Sequence, residues 1–292
     1  MLLDRSRTVL AATILASVLG AITIAAAQTR EAYPDFSSNF AGWVGLNGGG
    51  PFYEPVPGRL PPVVSDPAHP FVPNGAKAQP TFRIADLTNP NLKPWVKERM
   101  KQDIDEILAG KKSAFTPQSS CVPAGVPFFM GYGGPDPIIF LQTPKVVWMI
   151  WREDNQVRRI YMDVPHSANP TPSWYGESVG HYEGDTLVVD TIGFNDRTFL
   201  DSYRTPHTDK LHVVERFRLI DGGNTLEVAF TVEDPGAFYQ PWSGTRNRHR
   251  AVRPDFVVNA SMLPEEFACP ESNDDYFNLG LEPIPTAEKK DF

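Results

Sequence analysis

The stretch that decides the fold reads KLHVVERFRLI (residues 210–220), DGGN (221–224) and TLEVAFTVED (225–234). Two runs of alternating apolar and polar residues flank a Gly-Gly centre. Such a centre accepts the positive φ angles of a two-residue primed turn. That turn sets Asp221 opposite Asn224, and therefore Leu219 opposite Leu226, Phe217 opposite Val228, Glu215 opposite Phe230, Val213 opposite Val232 and Leu211 opposite Asp234. One face is apolar apart from Glu215 and Asp234. The other sets Arg218 against Glu227 and His212 against Glu233, which are complementary cross-strand pairs. A slip of one residue would turn every apolar side chain outward, so turn chemistry and hydrophobic pattern select the same register.

The same logic extends outward from about Pro137. Around Asp154-Asn155 it predicts Trp148 opposite Tyr161, Ile150 opposite Arg159 and Val146 opposite Asp163, with Val147, Met149, Ile160 and Met162 on the other face. Around Gly184-Asp185 it predicts Tyr182 opposite Leu187, His181 opposite Val188 and Val179 opposite Asp190. Ile138–Gln142, Gly244–Val252 and Phe256–Ala260 bring the total to about eight antiparallel strands. Strand follows strand with no helix between, which predicts a mainly β fold, a lipocalin-like antiparallel barrel or a sandwich. The barrel is preferred, and one of about eight strands is just wide enough to hold a small ligand. The β domain is expected over residues 116–292.

Upstream of it, residues 92–115 read as a helix and linker. Pro94 suits a first helical turn, Val96, Met100, Ile104, Ile107 and Leu108 form a stripe, and Gly110 marks the exit. Residues 28–91 read as a Pro/Gly-rich irregular extension, with nine prolines between 51 and 80. Residues 1–27 have the form of a secretory signal: Arg5 and Arg7, an uncharged apolar run from Thr8, and Ala25-Ala26-Ala27 as a small-residue cleavage site. The mature chain is then expected in the periplasm or secreted, with no further membrane span.

The net charge of −8, from 27 Lys+Arg against 35 Asp+Glu, argues against nucleic acid as a partner. In an exported chain, two cysteines, Cys121 and Cys269, suggest a disulfide closing a loop of about 150 residues, worth ~5 kcal/mol in the chain-entropy model. Two free thiols are the alternative.

Three stretches carry a resemblance: GHYEGDTLVVDT (180–191) with GFND (193–196), TPH (205–207) with LHVVERF (211–217), and EDP (233–235) with PW (241–242). On these motifs the chain resembles a widespread family of secreted bacterial proteins with no assigned activity. The likeness covers residues 115–270, including Cys121, the PAGVP that follows it (123–127), and Cys269. Tyr182 stands where that family usually has Trp. The resemblance implies export and a shared β fold, and brings no catalytic residue with it.

Glu215 is the most informative candidate. An unpaired carboxylate among Leu211, Val213, Phe217, Val228 and Phe230 would cost several kcal/mol, so it must be protonated, paired or open to a polar cavity. A raised pKa in such a setting suits a general acid or base; a buried salt bridge to an arginine such as Arg159 is the structural alternative. Arg159, as an anion or oxyanion stabiliser, and Trp148, Tyr161 and Asp163 would line a pocket with Phe230 and Asp234. The rival reading puts the Trp148–Tyr161 face outside the barrel. His207, in a loop before a strand, is a second proton carrier or an ordinary surface histidine. No metal-ligand spacing, nucleophile elbow or nucleotide loop is present, so neither metal nor cofactor is expected. The sequence therefore points to a small-molecule-binding barrel acting as a cofactor-free hydrolase, lyase or isomerase, with a non-turnover binder and a structural envelope protein as rivals.

Overall fold

The computed structural model describes residues 33–38, 42–45, 52–70, 83–111, 117, 122–131, 137–151 and 156–251. In chain order these residues form β1 (Trp43–Val44), β2 (Glu54–Pro55), α1 (Pro94–Leu108), α2 (Phe128–Gly131), β3 (Ile138–Gln142), β4 (Val146–Trp151), β5 (Gln156–Met162), β6 (Glu177–Glu183), β7 (Thr186–Ile192), β8 (His212–Ile220), β9 (Thr225–Glu233) and β10 (Trp242–Arg250). The segments proposed as signal (1–27), last strand (256–260) and disulfide (Cys121, Cys269) lie outside the described residues. No described helix is long and apolar enough to cross a membrane.

At the turn between β8 and β9, Gly222 and Gly223 take φ of 64° and 87°, the left-handed conformations of a primed turn, and the Asn224 amide donates to the Asp221 carbonyl at 3.3 Å. The two strands pair in the expected register from Leu219–Leu226 to His212–Glu233, with Glu215 opposite Phe230. The β6–β7 hairpin also pairs as read, Tyr182 with Leu187 and Val179 with Asp190. The β4–β5 pairing does not: Trp148 faces Arg159, Ile150 faces Val157 and Val146 faces Tyr161. Its centre lies one residue earlier than expected, a change that moves every partner by two positions. A two-residue shift leaves each side chain on its face, so the alternating pattern could not distinguish the registers.

The sheet runs β1-β3-β4-β5-β6-β7-β8-β9-β10, and β10 pairs back onto β1. Among the described residues this is a closed nine-stranded barrel, with β2 pairing at Gly244 and Thr245 along the same edge of β10 that β1 uses at its other end. It is mixed rather than antiparallel, because β5 and β6 are parallel, Ile160 beside Ser178 and Met162 beside Gly180. A parallel pair needs a crossover back to the starting end, and residues 163–176 provide it. His166 ties that crossover to the sheet, one ring nitrogen 3.1 Å from Glu177 and the other 2.8 Å from Asp190. The other Asp190 oxygen lies 3.0 Å from His212 Nε2.

The closing strand comes from the stretch that reads as irregular. Trp43 pairs with Arg250 on one side and Ile138 on the other. Its indole N–H donates to the Phe36 carbonyl at 2.7 Å, and Arg248 Nε donates to the Trp43 carbonyl at 3.2 Å. Phe52 and Tyr53 add to the core, the Tyr53 ring packing 4.5 Å from that of Phe230. Helix α1 buries Val96, Met100, Ile104 and Ile107 as the stripe predicts, whereas Leu108 at its end is 41% exposed.

The lumen is filled by side chains. Phe140, Met149, Ile160, Val189, Val213, Phe217, Val228 and Val232 are all fully buried. Among them lies one charged pair, Arg158 Nη2 and Glu215 Oε2 at 2.5 Å, both side chains sealed from solvent. The same nitrogen donates to Thr191 Oγ1 at 3.0 Å and Ser178 Oγ at 3.2 Å. Removing one member of such a pair leaves an uncompensated charge, whereas replacing both by apolar residues of similar volume does not. Arg158→Met is therefore expected to lower the unfolding free energy in urea by about 3–5 kcal/mol, and Arg158→Met/Glu215→Leu to recover most of it. Equal losses in the single and double variants would contradict the pairing.

Candidate functional site

The β7–β8 connection, residues 193–211, is too long for a simple turn and organises itself around Asp201. This carboxylate accepts the Tyr203 and Thr205 amides at 2.9 and 3.2 Å and the Thr205 hydroxyl at 2.8 Å. A short bridge, Phe199 to Pro206, folds the loop back on itself. Burial pushes the Asp201 pKa up to about 6 against the opposing pull of these hydrogen bonds and of Arg204.

The fold-back brings Thr198 to His207, with Thr198 Oγ1 and His207 Nε2 2.7 Å apart. His207 Nδ1 lies 3.0 Å from the Thr208 carbonyl, which can only accept. Nδ1 therefore carries the proton, and Nε2 accepts the Thr198 hydroxyl. Burial holds the imidazole pKa below its ordinary value, with the Thr208 carbonyl and the Asp234 charge opposing. His207 is thus neutral at neutral pH, with a fixed tautomer and a basic nitrogen bonded to a hydroxyl. Asp234 supports the arrangement from behind. Its oxygens accept the Thr208 amide at 2.6 Å and hydroxyl at 2.7 Å, together with the Gly236 amide at 2.8 Å. Thr198 is pressed against Gly125, where a Cβ would come within 2.6 Å of its hydroxyl oxygen.

Above this pair opens a groove of about 1130 Å³ between α1 and the loop. Trp95 and Arg99 form one wall; Phe194, Asn195, Asp196 and Arg197 form the other, with Pro206 to Asp209 beside His207. Trp95 is 42% exposed, and its indole N–H donates to the Gly236 carbonyl at 2.8 Å. The ring is therefore tethered at its edge and partly open to solvent. The Arg99 guanidinium is 4.0 Å from Asp103 on the next turn of the helix.

The residues proposed from sequence fall into three places. His207 and Asp234 come together, one at the groove and the other a step behind it through Thr208. Glu215 and Phe230 point into the lumen as the register required, but among the described residues the Glu215 side chain is fully buried and its partner is Arg158, not Arg159. Trp148, Arg159, Tyr161 and Asp163 lie on the outer face, the Arg159 guanidinium stacked 4.7 Å over the Trp148 ring and Tyr161 44% exposed. The proposed pocket wall is thus the outside of the barrel, because Gln156, Arg158, Ile160 and Met162 are the inward row of β5. Sequence reasoning missed Thr198, Trp95 and Arg99. Trp95 did carry a signal, being a large aromatic just off the buried stripe of α1. Comparison with protein-family models, with functionally described proteins and with solved structures gives no significant match to this chain.

Because the Asp201 pKa is raised in the folded state, its contribution to stability is fully present below the unfolded value near 3.8 and is lost as pH rises through about 6. A shift of this size corresponds to about 3 kcal/mol. Asp201→Asn should remove that slope. Urea unfolding of the two proteins between pH 3.5 and 7.5 is expected to show wild type losing stability relative to the variant as pH rises; parallel curves would contradict the assignment.

Proposed function

We propose that this chain is an exported β-barrel protein that binds a small polar organic molecule in the groove above His207. A β barrel is compatible with small-molecule binding, and here the filled lumen directs attention to the barrel's periphery. The observation that carries the reading is one convergence. An edge-tethered aromatic ring, two arginines (Arg99, Arg197) and two aspartates (Asp196, Asp209) surround a neutral imidazole of fixed tautomer. Apolar contact area with a few oriented polar groups is the composition of a ligand site. The stretches behind the family resemblance also meet there, since 194–196 and 206–207 line the groove and Asp234 braces it. Export rests on the composition of residues 1–27.

A second reading, turnover, is favoured by the Thr198–His207 bond. A hydroxyl bonded to a basic imidazole nitrogen is the acid–base element of cofactor-free catalysis. A ligand hydroxyl that displaced Thr198 would meet the same nitrogen, which could take its proton and later return it. Hydrolysis, elimination and isomerisation all use such a step.

A thermal-shift screen against polar metabolites tests both readings, since a ligand of the folded state raises Tm whatever its chemistry. A hit is expected to be lost in Trp95→Ala and retained in Arg159→Ala. With a turned-over hit, His207→Gln should cut kcat by about 10²–10⁴. Hits that survive Trp95→Ala but vanish in Arg159→Ala would overturn the groove assignment.

A further inference from the structure

We infer that the ligand is an extended neutral glycan lying across the N-terminal half of α1, with one sugar ring on Trp95 and another on Tyr239. The inference rests on the groove above His207 being the binding site, and it names the class of molecule that site takes.

A second groove of about 550 Å³ runs along the neighbouring face of the same helix. Pro94, Lys97, Glu98 and Lys101 recur at helical spacing and form one side of it, and Tyr239 closes the other. Trp95 and Arg99, on the adjacent face, belong to the first groove. The ridge between the two is pinned from both partners. The Lys93 ammonium and the Trp95 indole N–H donate to the carbonyls of Pro235 and Gly236. The Tyr239 amide donates to the Asn91 carbonyl at 3.0 Å. Tyr239 is 61% exposed, the highest value among the large hydrophobic side chains described, and Trp95 is 42% exposed. Two exposed aromatic rings thus stand in the two neighbouring grooves, with the Lys93 ammonium 5.9 Å from the centroid of the Tyr239 ring on one side. Neither ring is needed by the core.

The charges select the chemistry. Arg99 and Arg197 are matched by Asp196 and Asp209 in the first groove. In the second, Lys101 is committed to Asp105, which leaves Lys97 beside Glu98. Neither groove has the cation excess that a phosphate or polyanion requires. Donors and acceptors of both charges beside an aromatic platform suit a ring that is apolar on its C–H face and hydroxylated at its edge, which describes a pyranose. A Pro-rich peptide also packs on exposed aromatics, but it offers few side-chain groups for four charged residues and an amide to engage. The two rings belong to separate grooves, so one molecule contacting both occupies two subsites.

Calorimetric titration with the dimers and hexamers of four neutral series (cello-, malto-, xylo- and N-acetylchito-oligosaccharides) tests this. In at least one series the hexamer should bind tighter than the dimer by about tenfold or more, as expected for two linked subsites. Tyr239→Ala should erase that gain and leave dimer affinity unchanged, while Trp95→Ala should abolish both; the exposure of Tyr239 predicts unaltered melting for its variant, whereas Trp95→Ala also loses the indole bond to Gly236 and should melt slightly lower. The inference is overturned if no neutral series binds, if hexamer and dimer bind alike, if Tyr239→Ala changes nothing, or if a proline-rich peptide competes the glycan off Tyr239. Should every glycan fail while a thermal-shift hit still depends on Trp95, the groove assignment stands and the glycan alone is discarded.

Discussion

A guanidinium and a carboxylate sealed inside the barrel, Arg158 against Glu215, set the constraint around which this part of the wall is arranged. Charges in so dry a place are tolerated only with each other and with further hydrogen bonds. Arg158 finds these on three strands beyond its own: Ser178 on β6, Thr191 on β7 and Glu215 on β8. The span matters because the β5–β6 ladder is the weakest link in that part of the wall, three parallel pairs against nine antiparallel ones between β8 and β9. The guanidinium crosses that seam from inside, and the His166–Asp190 contact fastens it from outside. Arg158 Nη1 and Glu215 Oε1 have no hydrogen-bond partner among the described residues, so the pair still carries part of its desolvation cost.

With polar and apolar side chains together filling the lumen, the groove above His207 lies at the barrel's periphery. There the β7–β8 loop is built as a rigid object in its own right. Asp201 gathers two amides and a hydroxyl, Asp234 fixes Thr208, and Thr208 sets the His207 tautomer. Helix α1 supplies the facing wall. It can do so because its N-terminus is tied to the β9–β10 turn by Lys93 and Trp95. One side of the helix serves the core, and the residues just off that side serve the groove.

How much of this could be read from the chain depended on the range of the interaction. The β8–β9 and β6–β7 hairpins are local, and their turn glycines and alternation gave correct partners down to single residues. The inward direction of Glu215 followed from the same turn. Its partner did not, because Arg158 occupies an inward position that an arginine normally avoids; QVRRIYM reads more naturally with Val157 inside, yet Val157 is 40% exposed. The closing strand was illegible for another reason: two residues, Trp43 and Val44, have no period to detect. The groove is drawn from α1, the crossover and both ends of a long loop. No local pattern joins Trp95 to His207, and only the fold-back around Asp201 brings Thr198 to the imidazole.

Hydrogen–deuterium exchange with and without a bound ligand reports most directly where that ligand touches the protein. Slowed exchange is expected in residues 93–99 and 194–209, with the outer face of β4 and β5 unchanged. Protection confined to Trp148–Tyr161, with the 194–209 loop exchanging as in the free protein, would contradict the groove assignment.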